Sequence, residues 1–453
     1  MSSSVRSGVI TLLHTACGAG ILAMPYGFKP FGVIPGIAMI SFCALCSLAG
    51  LLLQAKVARY VPGRSASFFS LTQIINPNLS VIFDVAIAIK CFGVGVSYMI
   101  VVGDLMPQIA AVFSSHELLL NRNLHITLIM LFIVAPLCFL KKLSSLRYAS
   151  LVALSAVAYL CVLILVHFAW PSQDIEELKG RVSLGLPDGH TNPLTTLPIF
   201  VFAYTCHHNM FSVINEQADD SFGNARRVAI YAMSLALALY VLVGGLGYLT
   251  FGDHIIGNII KLYPQSVSTT VGRIAIVLLV MLAFPLQCHP ARASVNHILF
   301  YIQERKKQSM RTDNRVGAGT VDEASTLIVN PEQEYIIDEL IEEDSSQQPQ
   351  VVTLHGRKFV IITTVLLIAS YLLAVSVSSL ARVLAIVGAT GSTSISFILP
   401  GIFGYQLIGS EIEAGSLQLK TRLFKYSGLL LAIWGLLVMV TSLTATLTMH
   451  SSH

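Results

Sequence analysis

The stretch GAGILAMPYGF, residues 18–28, lies within the first apolar run of the chain and decides how that run is read. Glycine inside a helix costs about 1 kcal/mol relative to alanine, so Gly18 and Gly20 together mark a break. In hydrocarbon, the backbone groups freed by a break are expensive unless they bind something. N–H groups turned into a helix bundle form a site for a carboxylate. The competing reading is a small-residue face on which two helices pack closely. Both readings require a membrane.

The composition supplies that setting. Of 453 residues, 54% are hydrophobic and 11% charged; mean hydropathy is +0.73. Soluble domains carry about 25% charged residues. A soluble chain of this kind would expose very large apolar patches, and a disordered one would be far more polar. A net charge of +4 without a dominant basic block excludes a nucleic-acid binder. The class that remains is an all-α polytopic membrane protein.

Eleven runs are long enough to span, near 5–27, 32–55, 81–106, 124–140, 147–170, 194–215, 228–250, 269–290, 358–379, 383–407 and 424–448. A crossing needs about 20 mostly apolar residues. The runs are continuous, which suits helices and not barrel strands. The first is too long for a signal peptide and lacks a small-residue cleavage site.

With the N-terminus in the cytosol, 20 of the 28 basic residues fall on the cytosolic side and seven on the other. That bias predicts a cytosolic N-terminus and a lumenal C-terminus. Domain organisation follows: helices over 1–302, an acidic cytosolic loop over 303–356, and helices over 357–453. The loop holds 11 acidic and five basic side chains. It has too little apolar content to fold alone and reads as mostly disordered. It is a solvated linker or a docking site for a cytosolic regulator, and EYIIDELI (334–341) can form a short amphipathic helix. All eight cysteines lie within or beside the runs and read as small buried hydrophobes. The sequon at Asn78 falls on the cytosolic side and is expected to be unused.

Two further runs carry polar groups at depth. The sixth holds Tyr204-Thr205-Cys206-His207-His208-Asn209, and groups at such depth line cavities or pathways. The first and sixth runs stand at corresponding positions in two five-helix halves, a pattern that points to a transporter site. The sixth lacks glycines, so its unwinding is less firmly indicated. The tenth holds GATGSTSISFILPG (388–401), whose hydroxyls either bind neighbouring helices or line a path.

Four pieces in order resemble the amino acid/auxin permease family, which includes neutral-amino-acid carriers of animals and vacuolar amino acid transporters of fungi. They are GAGILAMPYGF (18–28), KCFGVGVSYMIVVGD (90–104), FAYTCHHNMFSVINE (202–216) with FPLQCHPAR (284–292), and the 388–401 block. The third-run block and the acidic loop look closest to the fungal vacuolar branch. The resemblance implies a LeuT-like fold, a five-plus-five inverted repeat of broken helices with one extra helix. It also implies ion-driven amino acid movement by alternating access, with neither cofactor nor metal.

By position, the resemblance puts the substrate's carboxylate and amine against backbone at Gly18, Ala19, Gly20 and Ile21, and at Tyr204, Thr205 and Cys206. Tyr98 adds a hydroxyl. Sodium-coupled relatives hold the ion partly with an asparagine before the glycines, where this chain has His14. Imidazole is a poor ligand for a hard cation, whereas histidine changes charge between pH 5 and 8. A co-transported proton, driving export from an acidic vacuole to the cytosol, is therefore expected. His14, His207, His208, His289 and Asp104 are candidates to carry it. Lys90 is read as snorkelling or pairing. The competing functions are a sodium-coupled carrier and an amino acid sensor that binds without transport; no nucleophile or metal motif supports an enzyme.

Overall fold

Ser4 starts the first helix, α1 (Val5–Ala16), by accepting the N–H of Ser7 on its side-chain oxygen. α1 stops after Ala16, and α2 (Gly20–Phe28) resumes with a bend of 63°. The structure is a computed structural model and describes residues 4–76, 79–140, 149–187, 192–217, 221–318, 356–412 and 418–448. Asn78, the segment 334–341 and most of the acidic loop lie outside the described residues.

The remaining helices follow the apolar runs. They are α3 (Val33–Val57), α4 (Phe68–Ile75), α5 (Leu79–Ala110), α6 (Arg122–Cys138) and α7 (Ala149–Ala169). The sixth run is interrupted, as α8 (Leu197–Ala203) and α9 (Met210–Glu216). Then come α10 (Phe222–Phe251), α11 (Val267–Ala318), α12 (Arg357–Ser376), α13 (Leu380–Leu407) and α14 (Leu419–Thr448). α11 thus continues into the segment expected to be loop. Among the described residues, eight helices are long and apolar enough to cross a membrane, and the bent α1–α2 pair makes a ninth. α6 is shorter, and α8–α9 is interrupted.

α5 is the central helix, packed along α11 and against α12 and α13. α10 packs on α1, α2 and α3. Its buried stripe runs Ala225, Ala229, Ala232, Ala236, Tyr240, Gly244 and Gly247, so small side chains let the backbones approach. α13 contains two π-helical segments, Gly388–Ser392 and Ser394–Ile398. They sit where α13 presses on its neighbours: a Cβ at Gly391 would lie 2.7 Å from the Ala86 carbonyl.

The two breaks meet at one side chain. The Tyr240 hydroxyl lies 2.8 Å from the Ala16 carbonyl and 2.8 Å from the Ala203 carbonyl. These are the last carbonyls of α1 and α8, beyond the reach of either helix's own N–H groups. One proton is shared between them, and Tyr240 is fully buried. Removing the hydroxyl leaves two buried acceptors without it. Tyr240→Phe is therefore expected to lower unfolding free energy by about 1–3 kcal/mol, read from denaturant titration in detergent. An unchanged midpoint would show that the breaks are held by other contacts.

Candidate functional site

A cavity of about 830 Å³ lies beside the first break. Its lining includes Thr11, His14, Thr15, Cys17 and Gly18 from the first run and Tyr98 from α5. His208, Asn209, Ser212 and Asn215 come from the sixth, and Gln287 and His289 from α11. At the end nearer the N-terminus it reaches Ser65–Phe69, Asp84 and His297.

The far end is closed by packing. Phe28 meets Phe200 edge to face at 5.6 Å, and Phe31 lies 5.5 Å from the same ring. These rings press on glycines. A Cβ at Gly27 would lie 2.5 Å from Phe200, and one at Gly36 or Gly244 would lie 2.5 Å from Phe28. The Thr196 hydroxyl donates to the Gly27 carbonyl at 3.2 Å, tying α2 to the start of α8.

The first break presents donors. The N–H of Ile21 bonds to the Gly18 carbonyl and that of Leu22 to the Ala19 carbonyl. Among the described residues, the N–H of Ala19 meets no backbone acceptor outside the helices. It stands at the N-terminus of α2, where the helix dipole favours an anion. The Tyr98 hydroxyl comes within 3.3 Å of the position a Gly18 Cβ would take.

The second break also forms, without glycine. Residues 204–206 leave the helix, and the Thr205 hydroxyl donates back to the Val201 carbonyl at 3.2 Å. Ser396 of α13 donates to that hydroxyl at 3.4 Å. The Tyr204 hydroxyl is buried without a partner. Below the break, Asn209 donates to the Thr15 hydroxyl at 2.7 Å and so joins the two interrupted runs.

Of the expected site residues, His14, Gly18, Tyr98, His208 and His289 share the cavity. Ala19, Ile21, Tyr204, Thr205 and Cys206 are buried around the breaks and do not line it. Gly20 turns to Phe202, whose ring would lie 2.8 Å from a Cβ there. His207 points away, with Nε2 3.0 Å from the Ser47 carbonyl. Asp104 lies far along α5, bonded to Asn258 at 3.2 Å and paired with Lys261 at 3.4 Å. The adjacent histidines thus face opposite ways.

A family model for transmembrane amino acid transporter proteins matches residues 1–441. The chain belongs to this family. Vacuolar amino acid transporter 6 of Saccharomyces cerevisiae is 62% identical over 452 residues, 99% of this chain and 100% of that protein. Vacuolar amino acid transporter 5 of Schizosaccharomyces pombe is 38% identical, over 96% of this chain and 93% of that protein. Sodium-coupled neutral amino acid transporter 7 of Danio rerio is 25% identical, over 63% and 62%. Among solved structures, the nucleobase-cation-symport-1 family transporter Mhp1, in a closed conformation with bromovinylhydantoin bound, superposes with TM-score 0.53. It is 14% identical, with 99% of this chain and 91% of that chain covered, so the likeness is one of fold.

The sequence reading missed Gln287 and Thr15 as members of the cavity wall, whereas Asn209, read as a polar group at depth, does line it. Gln287 had a signal: a polar side chain in an apolar run, two residues before His289 and three before Pro290.

Because Gly18 faces the cavity and Gly20 faces Phe202, the two glycines separate experimentally. Gly18→Val is expected to cost at least tenfold in amino acid affinity while the protein still folds. Gly20→Val is expected to lower folding yield by forcing the Phe202 ring aside. Equal loss of binding at equal yield would remove that distinction.

Proposed function

We propose that this chain is a secondary active amino acid transporter, a proton symporter that moves amino acids from the vacuole to the cytosol by alternating access. The observation that carries the reading is the break itself, with the Ala19 N–H lacking a backbone acceptor at the start of a half-helix beside a large cavity. A membrane protein leaves such donors open where an anionic group docks. The substrate carboxylate meets Gly18, Ala19, Gly20 and the Tyr98 hydroxyl. The sixth run provides the opposite wall through His208, Asn209 and Ser212, with the break at Tyr204, Thr205 and Cys206 behind them.

The scaffold in this proposal is eleven crossings, with α6 and the α8–α9 pair each counted as one. Five plus five form an inverted repeat, and α14 is the extra helix. Its N-terminus is cytosolic and its C-terminus lumenal in this reading, which the distribution of basic residues supports. The cavity then opens to the cytosol, while the Phe28–Phe200 side is shut. The segment 303–356 joins the two helical parts on the cytosolic side, where a regulator can reach it.

Proton coupling is supported by His14, His208 and His289 on the cavity wall and by the vacuolar names of the most similar relatives. The sodium-coupled title of the Danio rerio relative favours a second reading, a sodium symporter. Purified protein in liposomes separates them. An imposed pH gradient is expected to drive accumulation of labelled amino acid, and replacing sodium with choline is expected to leave it unchanged. Loss of accumulation in choline would establish the sodium reading. Counterflow with no net accumulation under either gradient would leave an exchanger, and saturable binding without counterflow would leave a sensor.

A further inference from the structure

Lys90 stands within α5 and is 2% exposed. Its Nζ has two side-chain partners, Gln287 Oε1 at 3.2 Å and His208 Nε2 at 3.4 Å. Both are neutral acceptors. Among the described residues, no carboxylate forms an ion pair with it. Asp84, the acid on the same helix nearer the N-terminal face, is paired with His297 at 3.6 Å.

Among the described residues, the surroundings offer no other carboxylate. α5 contributes Cys91, and the sixth run contributes Cys206 and His208. α11 contributes Gln287. α13 arrives at Gly391, where an added Cβ would lie 2.8 Å from the Lys90 backbone nitrogen. The π segments of α13 carry hydroxyls and no ionisable side chain. His14, His289 and Asp84 stand farther out on the cavity wall.

A buried cation without a counter-ion is costly, and in a membrane protein it marks a functional position. His208 and Gln287 both line the cavity, so Lys90 lies one side chain behind the space for substrate. When His208 accepts on Nε2, its ring proton sits on Nδ1. That atom is buried without a partner.

We propose that Lys90, exchanging a proton with His208, is the proton-binding site of the transport cycle, and that the substrate carboxylate is the counter-ion that retains its charge. The proposal rests on the proton-coupled reading above. With substrate in the cavity, Nζ keeps three protons. When the amino acid leaves, the cation loses its counter-ion. One proton passes from Nζ to Nε2 of His208, and the Nδ1 proton leaves to cavity water. Lys90 is then neutral and the imidazole has changed tautomer. Reloading reverses both moves: a proton adds at Nδ1, and the Nε2 proton returns to Nζ. One proton enters and one leaves per carboxylate.

The sign is definite. A carboxylate favours protonated Lys90, and linkage requires protonation to favour the carboxylate. Substrate affinity is highest at low pH and falls roughly tenfold per pH unit once Nζ is free to lose its proton. Full-length Lys90→Arg carries a permanent charge. In liposomes its affinity is expected to vary less than twofold with pH, and pH-gradient-driven accumulation is expected to fall at least tenfold, while counterflow continues at reduced rate. Lys90→Met is expected to bind weakly at every pH. Wild-type accumulation by Lys90→Arg would overturn the proposal and leave the proton-coupled reading standing. A wild-type protein indifferent to the pH gradient would bring down both. Loss of binding and counterflow in Lys90→Arg and Lys90→Met alike would assign Lys90 a structural role and overturn it too.

Discussion

A single hydroxyl proton, on Tyr240, serves the ends of two helices. The Ala16 and Ala203 carbonyls converge on it because α1 and α8 both stop at the same depth. In hydrocarbon neither carbonyl has water to turn to. The breaks can exist only while α10 stays against both, and its alanine and glycine stripe keeps it there. Tyr240 also stacks edge to face on Tyr204, with ring centres 5.3 Å apart, so the second break is braced from its side-chain face as well. α10 and the two interrupted runs are therefore one mechanical unit.

Around that unit the two ends differ in chemistry. On one side, aromatic rings lie against glycines, a contact that excludes water and tolerates no added atom. On the other, Ser65, Ser67, Ser212 and Asn215 surround a mouth that polar groups can share with solvent. Asn209 and Thr15 tie the interrupted runs together just inside that mouth. In the alternating-access cycle proposed above, opening the closed end means lifting Phe28 and Phe200 off their glycines as intact faces, because the rings are packed against them.

Hydrophobic runs made the helices legible, and Gly18 with Gly20 made the first break legible, because both signals are local. The second break was harder to read. Nothing between Tyr204 and Cys206 disfavours a helix strongly; Tyr240 and Ser396, from distant helices, supply the hydrogen bonds that let it unwind. Gly20 illustrates the opposite case, where a correct break motif hid a packing position against Phe202. Lys90 was visible as a charge in a span. Its partners are 118 and 197 residues away, so its setting exists only in the fold. Asp104, equally visible, has Lys261 and Asn258 as company at the other end of α5.

The open cavity also has a hydraulic side. At about 30 Å³ per molecule, a space of 830 Å³ holds on the order of 25 waters. In the alternating-access cycle proposed above, a conformer that shuts this mouth must discharge most of them. On that proposal the balance between conformers depends on water activity, and solutes too large to enter draw the molecule toward the shut form. A carrier working by that cycle responds to the osmotic state of the solution at its open mouth, apart from any ligand it binds.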